Sequence, residues 1–165
     1  MKKIYNFSLD VIDNYKSFNI DDVEVVTSES LNVSVKSRHQ KLENIERSKN
    51  LNIGINIYKE NRKATITSNN IDNAVAKEYL EKGAAMVNSM PIDEYSGLPD
   101  KEDYANEIEN LELEDSTNLS DKQLLDQALL AEDAMLKNKK ITNSEGATRG
   151  FSKNTYSIIN SKGFN

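Results

Sequence analysis

The stretch that decides the fold is Leu51-Asn52-Ile53-Gly54-Ile55-Asn56-Ile57-Tyr58. Apolar residues alternate with small or polar ones along it, which is the period-2 pattern of a strand with one buried face. The sequence predicts a hairpin connection at residues 59–61 and a returning strand at 63–67, where Thr and Ile favour β structure. Connections this short indicate antiparallel pairing, because a parallel crossover needs a dozen or more residues.

The residues before this stretch add further β structure. Strands are predicted at 23–27, 31–35 and 41–47, separated by turns that include 38–40 and 48–50. Leu42 and Ile45 fall on opposite faces of the third of these strands, which indicates a bulge or a sheet edge. The pattern as a whole predicts an antiparallel β-meander of about five strands with one apolar face.

Helical spacing of apolar residues predicts two helices that flank the meander and cover it. Ser8 is expected to cap the first, and Asn69 or Asn70 the second, which Pro91 ends. Gly83 in the second helix indicates a close backbone approach, since glycine there is unfavourable by about 1 kcal/mol against alanine.

A third helix is predicted after an acidic connector at 91–118, which is expected to hold a helical piece near 104–108 and an extended piece at 111–113. Ser120 and Gln123 form a capping box. Its apolar stripe consists of Leu124, Leu125, Ala128, Leu129, Met135 and Leu136. A last strand is predicted at 155–159. The fold class expected is therefore α+β, with an N-terminal domain at 1–115 and, at 116–165, a helix and the first strands of an incomplete second domain.

Composition excludes several kinds of chemistry from these residues. The 165 residues include no Cys and one His, which excludes disulfides, thiol nucleophiles and zinc sites with Cys or paired His ligands. The net charge is −6, and residues 70–135 hold seventeen acidic against four basic residues. Such a chain is repelled by phosphate backbones, so nucleic acid is not an expected partner. No apolar run reaches the roughly 18 residues that a membrane span needs.

The residue types that could catalyse a reaction do not form a recognisable catalytic set. His39 falls in a predicted turn, and nothing supports Ser37 beside it as a nucleophile. Glu43 and Glu46 point to opposite faces of a regular strand, so they do not form an acid–base pair. Ser144 lacks the preceding glycine of a nucleophile elbow. The sequence therefore predicts neither catalytic nor metal-ligating residues here.

Five strings along the chain together resemble one family. They are residues 34–38 (SVKSR), 41–48 (KLENIERS), 51–55 (LNIGI), 141–147 (ITNSEGA) and 160–164 (NSKGF). In this order and spacing they resemble the N-terminal domain and the start of the middle domain of the TldD/PmbA metalloprotease family, also labelled "modulator of DNA gyrase". The strings at 142–147 and 160–164 look closer to the PmbA (TldE) branch than to the TldD branch.

The resemblance implies a cytoplasmic, two-subunit peptidase that acts on unfolded peptides. In such a heterodimer the TldD-type subunit holds zinc through an HExxxH helix and a later Cys, and the PmbA-type subunit lacks these ligands. No residue here matches them, so zinc is expected only in a TldD-type partner. The family-motif positions expected to have a structural or cleft role are Glu43, Glu46, Arg47, Gly54, Asn143, Ser144, Glu145, Gly146, Gly163 and Phe164.

These observations lead to two functional expectations. In the first, the chain is an N-terminal fragment of a PmbA-like subunit that shapes a dimer and a substrate cleft without catalysing the reaction. Its partner is then a TldD-like subunit or a second copy, and an extended peptide pairs with an exposed strand edge. In the alternative, the chain is a free-standing peptide- or protein-binding module without peptidase activity. A third hypothesis, gyrase inhibition by a DNA-mimicking acidic surface at 93–115, rests on the family label and the charge alone.

Overall fold

The computed structural model describes residues 2–105, 107 and 109–165. Its helices are α1 (Lys2–Asn14), α2 (Asn73–Val87) and α3 (Asp121–Leu136), and its strands are β1 (Asp22–Arg38), β2 (Lys41–Lys59), β3 (Arg62–Ser68) and β4 (Ala147–Asn160). Short 3-10 turns cover Tyr15–Phe18 and Lys101–Asp103. The four strands form one sheet in the order β3-β2-β1-β4. The expected α+β class, with an antiparallel sheet and helices, is confirmed.

The contacts between residues divide the chain into two compact units. The first unit comprises Met1–Glu29, Asn50–Ile108 and Thr155–Asn165, and the second comprises Ser30–Lys49 and Glu109–Asn154. The strands β1, β2 and β4 each contribute residues to both units. The expected domain boundary near residue 115 stays a prediction.

In two places the structure has one long strand where the sequence predicted two separate strands. β1 has 17 residues and includes both 23–27 and 31–35, while β2 has 19 residues and includes both 41–47 and 51–57. The predicted turn at 48–50 is therefore wrong. The string Ser48-Lys49-Asn50 consists of residues typical of turns, but here they lie exposed in a strand beside β1, where their polar side chains remain in water.

Two hairpin turns close the meander as the sequence predicted. His39 and Gln40 have φ angles of 52° and 58°, and Glu60 and Asn61 have φ angles of 49° and 56°. Positive φ at both central residues defines the two-residue turn that matches the right-handed twist of paired strands. The second turn sets the register of β2 on β3, which runs from Ile53 opposite Ser68 to Lys59 opposite Arg62.

Side-chain contacts between β1 and β2, which join Lys36 to Glu43 and Glu24 to Asn56, indicate that β2 contains one extra residue. The first turn places residue 36 opposite residue 43, in agreement with the 2.7 Å distance between Lys36 Nζ and Glu43 Oε2. Continued along the strands, this register would set Val25 opposite Gly54. Val25 instead shares the buried core with Ile55, and residues directly opposite in a sheet share a face. A bulge between these two regions accounts for the shift by one residue.

The core of the first unit lies between the sheet and the helices α1 and α2. Ile53, Ile55 and Ile57, the apolar positions of the alternating stretch, are at most 2% exposed. The rings of Phe7 and Tyr79 meet edge to face, with centroids 6.3 Å apart. The fully buried core members include Phe7, Val11, Val23, Val25, Ile57, Ala76, Leu80 and Val87. The predicted covering of the apolar face by helices is thus confirmed.

The first residues of α1 and α2 differ from those predicted. Ser8 does not cap α1, which begins at Lys2; its buried hydroxyl donates to the carbonyl oxygen of Ile4, 3.1 Å away, one turn earlier. The cap of α2 is Asp72, whose carboxylate accepts from the amide of Ala74, rather than Asn69 or Asn70. A charged acceptor at this position also complements the positive end of the helix dipole.

The predicted capping box of α3 is confirmed. The hydroxyl of Ser120 accepts from the amide of Gln123 at 3.3 Å, and the Gln123 side chain accepts from the amide of Ser120 at 2.9 Å. Leu124 of α3 then packs with Val33 and Val35 of β1 to form the core of the second unit. Leu119, Leu125 and Phe151 surround this cluster.

The acidic connector contains less regular structure than predicted. The 3-10 turn at Lys101–Asp103 is its short helical element, whereas the predicted helical piece at 104–108 includes Asn106 and Ile108, which lie outside the described residues. The predicted extended piece at 111–113 does not form a strand, because Glu112 has a φ of 50°. Leu113 beside it is 89% exposed.

Gly83 tests how tightly α2 packs on the sheet. A Cβ at this position would lie 1.8 Å from Ile57 Cδ1, so the close approach predicted for Gly83 is confirmed. Gly83→Ala should lower the free energy of unfolding by about 1–3 kcal/mol, despite the better helix propensity of alanine. Ile57→Val removes Cδ1, so the double variant should be more stable than Gly83→Ala, although Ile57→Val alone is destabilising by about 0.5–1.5 kcal/mol.

The effect is measured by urea unfolding of four proteins: the parent, Gly83→Ala, Ile57→Val and the double variant. Gly97→Ala is the matched control, since nothing lies within 4 Å of its new Cβ, and its stability should be close to that of the parent. Additive changes from Gly83→Ala and Ile57→Val would contradict the packing described here.

Candidate functional site

The most exposed regular element is the part of β2 in the second unit, here named the β2 arm (residues 41–49). Every residue of the β2 arm is exposed, including Leu42 at 47% and Ile45 at 39%. β3 pairs with β2 only from Ile53 onward, so the outer edge of the arm has no strand neighbour among the described residues. An edge of this kind presents unpaired backbone donors and acceptors to another chain.

The charged residues of the β2 arm are held by exposed ion pairs. Glu43 contacts Lys36 at 2.7 Å and Arg38 at 3.4 Å, and the hydrogen bond from Lys36 is the main reason that the pKa of Glu43 lies below its ordinary value. Glu46 accepts from the side chain of Asn44 at 3.0 Å. Glu43 and Glu46 therefore have separate partners among the described residues.

Arg47, the third predicted position in the β2 arm, forms an ion pair with Asp121 at the start of α3. A groove of about 810 Å³ lies beside it in the second unit. The groove is lined by residues of β1, β2 and β4, among them Ser34, Ile45, Arg47, Thr148, Gly150 and Phe151. This combination of a groove and an open edge is suited to binding another polypeptide.

A fully buried carboxylate fixes the turn at the tip of the β2 arm. Glu132 of α3 is 0% exposed. Its Oε1 accepts from the backbone amide of His39 at 2.8 Å, and its Oε2 accepts from that of Gln40 at 3.1 Å. Both central residues of the turn are thus bound by one side chain, which satisfies the charge in the interior.

The hydrogen bonds to Glu132 lower its pKa by more than burial raises it. Burial by itself raises the pKa of this carboxyl, but the amides of Gln40 and His39 and the hydroxyls of Ser37 and Ser144 lower it, so that the net pKa lies below its ordinary value of 4.5. The Ser37 hydroxyl lies near the Glu132 carboxylate but forms no hydrogen bond of standard geometry among the described residues. Glu132 is therefore ionised in the folded protein near neutral pH.

The predicted motif at 143–146 lies beside this carboxylate. Ser144 is buried, its amide donates to Asn143 Oδ1 at 2.9 Å, and its hydroxyl accepts from the amide of Gly146 at 2.8 Å. Gly146 has a φ of 94°, and a Cβ there would lie 2.0 Å from the carbonyl oxygen of Ser37. Glu145 is exposed. The motif therefore packs a loop against the end of β1.

The remaining predicted positions, Gly54, Gly163 and Phe164, lie in the first unit. Gly54 lines a groove of about 660 Å³ on the sheet, together with the exposed Tyr156. Phe164 stacks on Tyr104 with ring centroids 4.8 Å apart. Gly163 has a φ of 92°, which glycine adopts readily, in the turn that leads to Phe164.

The described residues do not fit a zinc centre. No three His, Asp or Glu side chains come together as a metal-binding group in residues 2–105, 107 and 109–165. The buried carboxylate of Glu132 has backbone amides on both of its oxygens. No helix in the same ranges is long and apolar enough to span a membrane.

Sequence reasoning missed Glu132, although the signal for it is present. Leu124, Ala128 and Glu132 are spaced by four residues, and all three are buried on one face of α3. A carboxylate on a buried helical stripe requires donors, because an unpaired charge in the interior is strongly unfavourable. The sequence could therefore indicate that Glu132 binds something, but not that its partners are the amides of a turn 92 residues earlier.

Comparison with known proteins connects this fold to one class. Residues 22–87, which include β1, β2, β3 and α2, match the family described as PmbA/TldA metallopeptidase domain 1. The resemblance expected from the sequence is therefore confirmed: these residues are similar to the first domain of the PmbA/TldD metallopeptidase family.

The curated relatives are PmbA proteins. The chain is 29% identical over 129 residues to metalloprotease PmbA of Escherichia coli O157:H7, an alignment that covers 78% of this chain and 29% of that protein. It is also 29% identical over 126 residues to the metalloprotease PmbA homolog of Haemophilus influenzae, covering 76% and 28%. The chain thus spans less than a third of the length of these relatives.

Solved structures share the fold. A protein of Bacteroides thetaiotaomicron described as a modulator of DNA gyrase superposes with a TM-score of 0.84 at 19% identity, covering 97% of this chain and 37% of that one. TldE of Thermococcus kodakarensis superposes with a TM-score of 0.74 at 19% identity, covering 95% and 35%. At these identities the similarity shows the fold alone.

The buried carboxylate gives a pH-dependent contribution to stability. Because the pKa of Glu132 is lowered in the folded state, its hydrogen bonds stabilise the protein above pH 4.5 and are lost as the pH falls through the lowered folded value. Glu132→Gln should reduce the urea midpoint strongly at pH 7, since the amide group places a donor against a backbone donor. The difference from the parent should shrink as the pH falls through the lowered folded pKa of Glu132.

The control for this experiment is Glu145→Gln, which changes a carboxylate at the surface of the neighbouring loop. Its urea midpoint should remain close to that of the parent at neutral and acid pH. A difference between parent and Glu132→Gln that does not shrink at any acid pH at which the parent is still folded would contradict the assignment of Glu132 as the ionised acceptor.

Gly146 and Gly163 form a matched pair for a second test. Their φ angles are 94° and 92°, but a Cβ meets the Ser37 carbonyl oxygen only at Gly146 and nothing within 4 Å at Gly163. Both alanine variants have the same backbone strain of about 1–2 kcal/mol. Gly146→Ala should be the more destabilised by a further ~1–3 kcal/mol in thermal or urea unfolding. Equal losses would show that the loop at 143–146 does not pack on β1 as described.

Proposed function

We propose that this chain is the N-terminal part of a PmbA-like subunit in a cytoplasmic, TldD/PmbA-type zinc metallopeptidase complex that acts on unfolded peptides. The observation that supports this most directly is the match of residues 22–87 to the first domain of the family, together with two curated relatives that are both PmbA proteins. The name of the Thermococcus neighbour, TldE, agrees with this branch.

In this proposal the chain positions peptides and the partner subunit rather than catalysing hydrolysis. Zinc and the residues that activate water belong to the TldD-type subunit, and this chain contributes binding surface. The β2 arm supports such a role, because its exposed outer edge can extend a sheet with a strand from another chain. Glu132 fixes the tip of the arm and so reduces the conformational entropy lost on binding.

A second candidate is a free-standing module that binds peptides or proteins without any peptidase partner. The same open edge of the β2 arm favours it, since strand addition requires no catalytic subunit. The two candidates differ in what the chain does to a TldD-type subunit. The subunit proposal requires association with it, and the module proposal does not.

The first test measures metal and activity together. The tag-free chain alone should contain no stoichiometric zinc by elemental analysis and should not cleave an unfolded peptide. Mixed with the TldD-type subunit of the same organism, it should co-elute in size-exclusion chromatography, and peptide cleavage should increase several-fold over that of the TldD-type subunit alone.

Two results would reject parts of this proposal. Stoichiometric zinc in the isolated chain would reject its assignment as a non-catalytic partner. Failure to associate with the TldD-type subunit at about 10 µM would reject the subunit proposal in favour of the free-standing module. A peptide that binds the isolated chain would then support the module.

A further inference from the structure

The second unit has a much smaller apolar core than the first. Among the described residues, thirteen buried side chains form the core cluster of the first unit, and three form that of the second. The three are Val33, Val35 and Leu124. Burial of apolar surface is the main favourable contribution to folding, so a unit with little of it opens more readily than its neighbour. The second unit therefore depends more on its polar contacts.

Polar groups occupy much of the remaining interior of the second unit. Its buried residues include Ser37, Glu132 and Ser144. Glu132 is the one carboxylate among the buried residues that the structure describes. Its two oxygens accept from the amides of His39 and Gln40 at 2.8 and 3.1 Å, and these bonds join α3 to the tip of the hairpin. An ionised acceptor that loses its donors in the interior is strongly unfavourable, so opening has to return Glu132 to water.

The ion pairs described within the second unit lie at its surface. The partners are Lys36 and Arg38 with Glu43, Arg47 with Asp121, Lys137 with Asp133, and Lys153 with Glu114. Their side chains are between 32% and 75% exposed. Exposed pairs of this kind contribute little to stability. Among the described polar contacts, those of Glu132 are therefore the ones on which the second unit depends most.

The groups that act most strongly on Glu132 are uncharged. Burial raises the pKa of its carboxyl, and the amides of the turn and the hydroxyls of Ser37 and Ser144 lower it. Charged or titratable side chains on the elements around it are exposed or paired elsewhere: Arg38 at the end of β1, His39 in the turn, Lys41 at the start of β2, Asp133 and Lys137 on α3, and Glu145 in the loop. Protonation of Glu132 therefore weakens the contact, and none of these side chains replaces it.

The first unit keeps its own contacts when the second unit opens. β3 pairs with β2 from Ile53 to Lys59, wholly within the first unit. At the end of β4, the amide of Ser161 donates to the carbonyl oxygen of Val23 at 2.9 Å, and its hydroxyl donates to Asp22 at 2.6 Å. The apolar core beside α1 and α2 belongs to the same unit. These contacts involve no residue of 30–49 or 109–154.

We propose that the second unit opens on its own, as a cooperative unit that Glu132 holds closed, while the first unit stays folded. In the open state the tip of the hairpin leaves α3, and the β2 arm and the loop at 143–146 lose their fixed positions. Proteins draw their binding loops and moving parts from elements of low local stability. The β2 arm is thus held in place only while the carboxylate of Glu132 binds the turn.

Native-state hydrogen exchange measures the two units separately, because each amide reports the opening that exposes it. In the parent at pH 7, the slowest amides of the second unit should exchange at least about tenfold faster than those of the first. Glu132→Gln should raise exchange in the second unit at least about tenfold more, since hydrogen bonds to a charged group are lost. In the first unit it should raise exchange by no more than the same factor, because complete unfolding breaks the same bonds.

Two variants serve as controls for this measurement. Glu145→Gln changes an exposed carboxylate in the neighbouring loop and should leave exchange unchanged in both units. Gly83→Ala places a Cβ against Ile57 in the core of the first unit, which stays intact when the second unit opens. It should raise exchange at least about fivefold in the first unit and leave that of the second unchanged.

Acid should open the second unit without a mutation. As the pH falls through the lowered folded pKa of Glu132, exchange in the second unit of the parent, corrected for intrinsic rates, should rise towards that of Glu132→Gln. The amides of the first unit should stay protected over the same range. His39→Asn keeps the backbone amide in a residue that tolerates positive φ, so the rise should persist without the imidazole.

The results that would overturn the proposal are distinct. Equal exchange of the slowest amides in the two units of the parent, or an equal effect of Gly83→Ala on both, would show that the chain opens as one unit. Complete unfolding of Glu132→Gln would show that the first unit does not stay folded alone. An unchanged second unit in Glu132→Gln, or loss of the acid response in His39→Asn, would show that Glu132 does not hold the unit closed.

Discussion

The structure depends on a difference in strand length. β1 and β2 have 17 and 19 residues, whereas β3 has 7 and pairs with β2 only from Ile53 onward. Among the described residues, strand neighbours lie on both sides of β2 only where β3 is present, so the remainder of its outer edge has none. The exposed β2 arm, and with it the surface proposed to bind another chain, follows from this difference.

A hairpin of this length needs a fixed turn if its end is to hold a definite shape. Glu132 provides this by accepting from both amides of the His39-Gln40 turn. The carboxylate is tolerated in the interior because donors surround it, and the loop at 143–146 contributes one of them through Ser144. Ser144 is one of the family-motif positions, and it lies beside Glu132, which is not one of them.

Local pattern predicted the parts of the fold that depend on neighbours in sequence. The alternation at 51–58, the Glu60-Asn61 turn and the Ser120 capping box each involve residues a few positions apart, and each is confirmed. The candidate positions were predicted as motif members, and the structure separates them into two units. Their partners could not be predicted, because contacts such as that between Gly146 and Ser37 join distant parts of the chain.

The sequence by itself determined the class of fold, the family that the chain resembles and the lack of cysteine, because periodicity, motif strings and composition are local properties. Only the tertiary structure decided that the string at 48–50 continues a strand instead of turning, since β1 lies beside it. It also decided that Glu132 is buried and that the β2 arm is open. Both depend on which elements become neighbours, and that is settled by packing and backbone pairing across the whole chain.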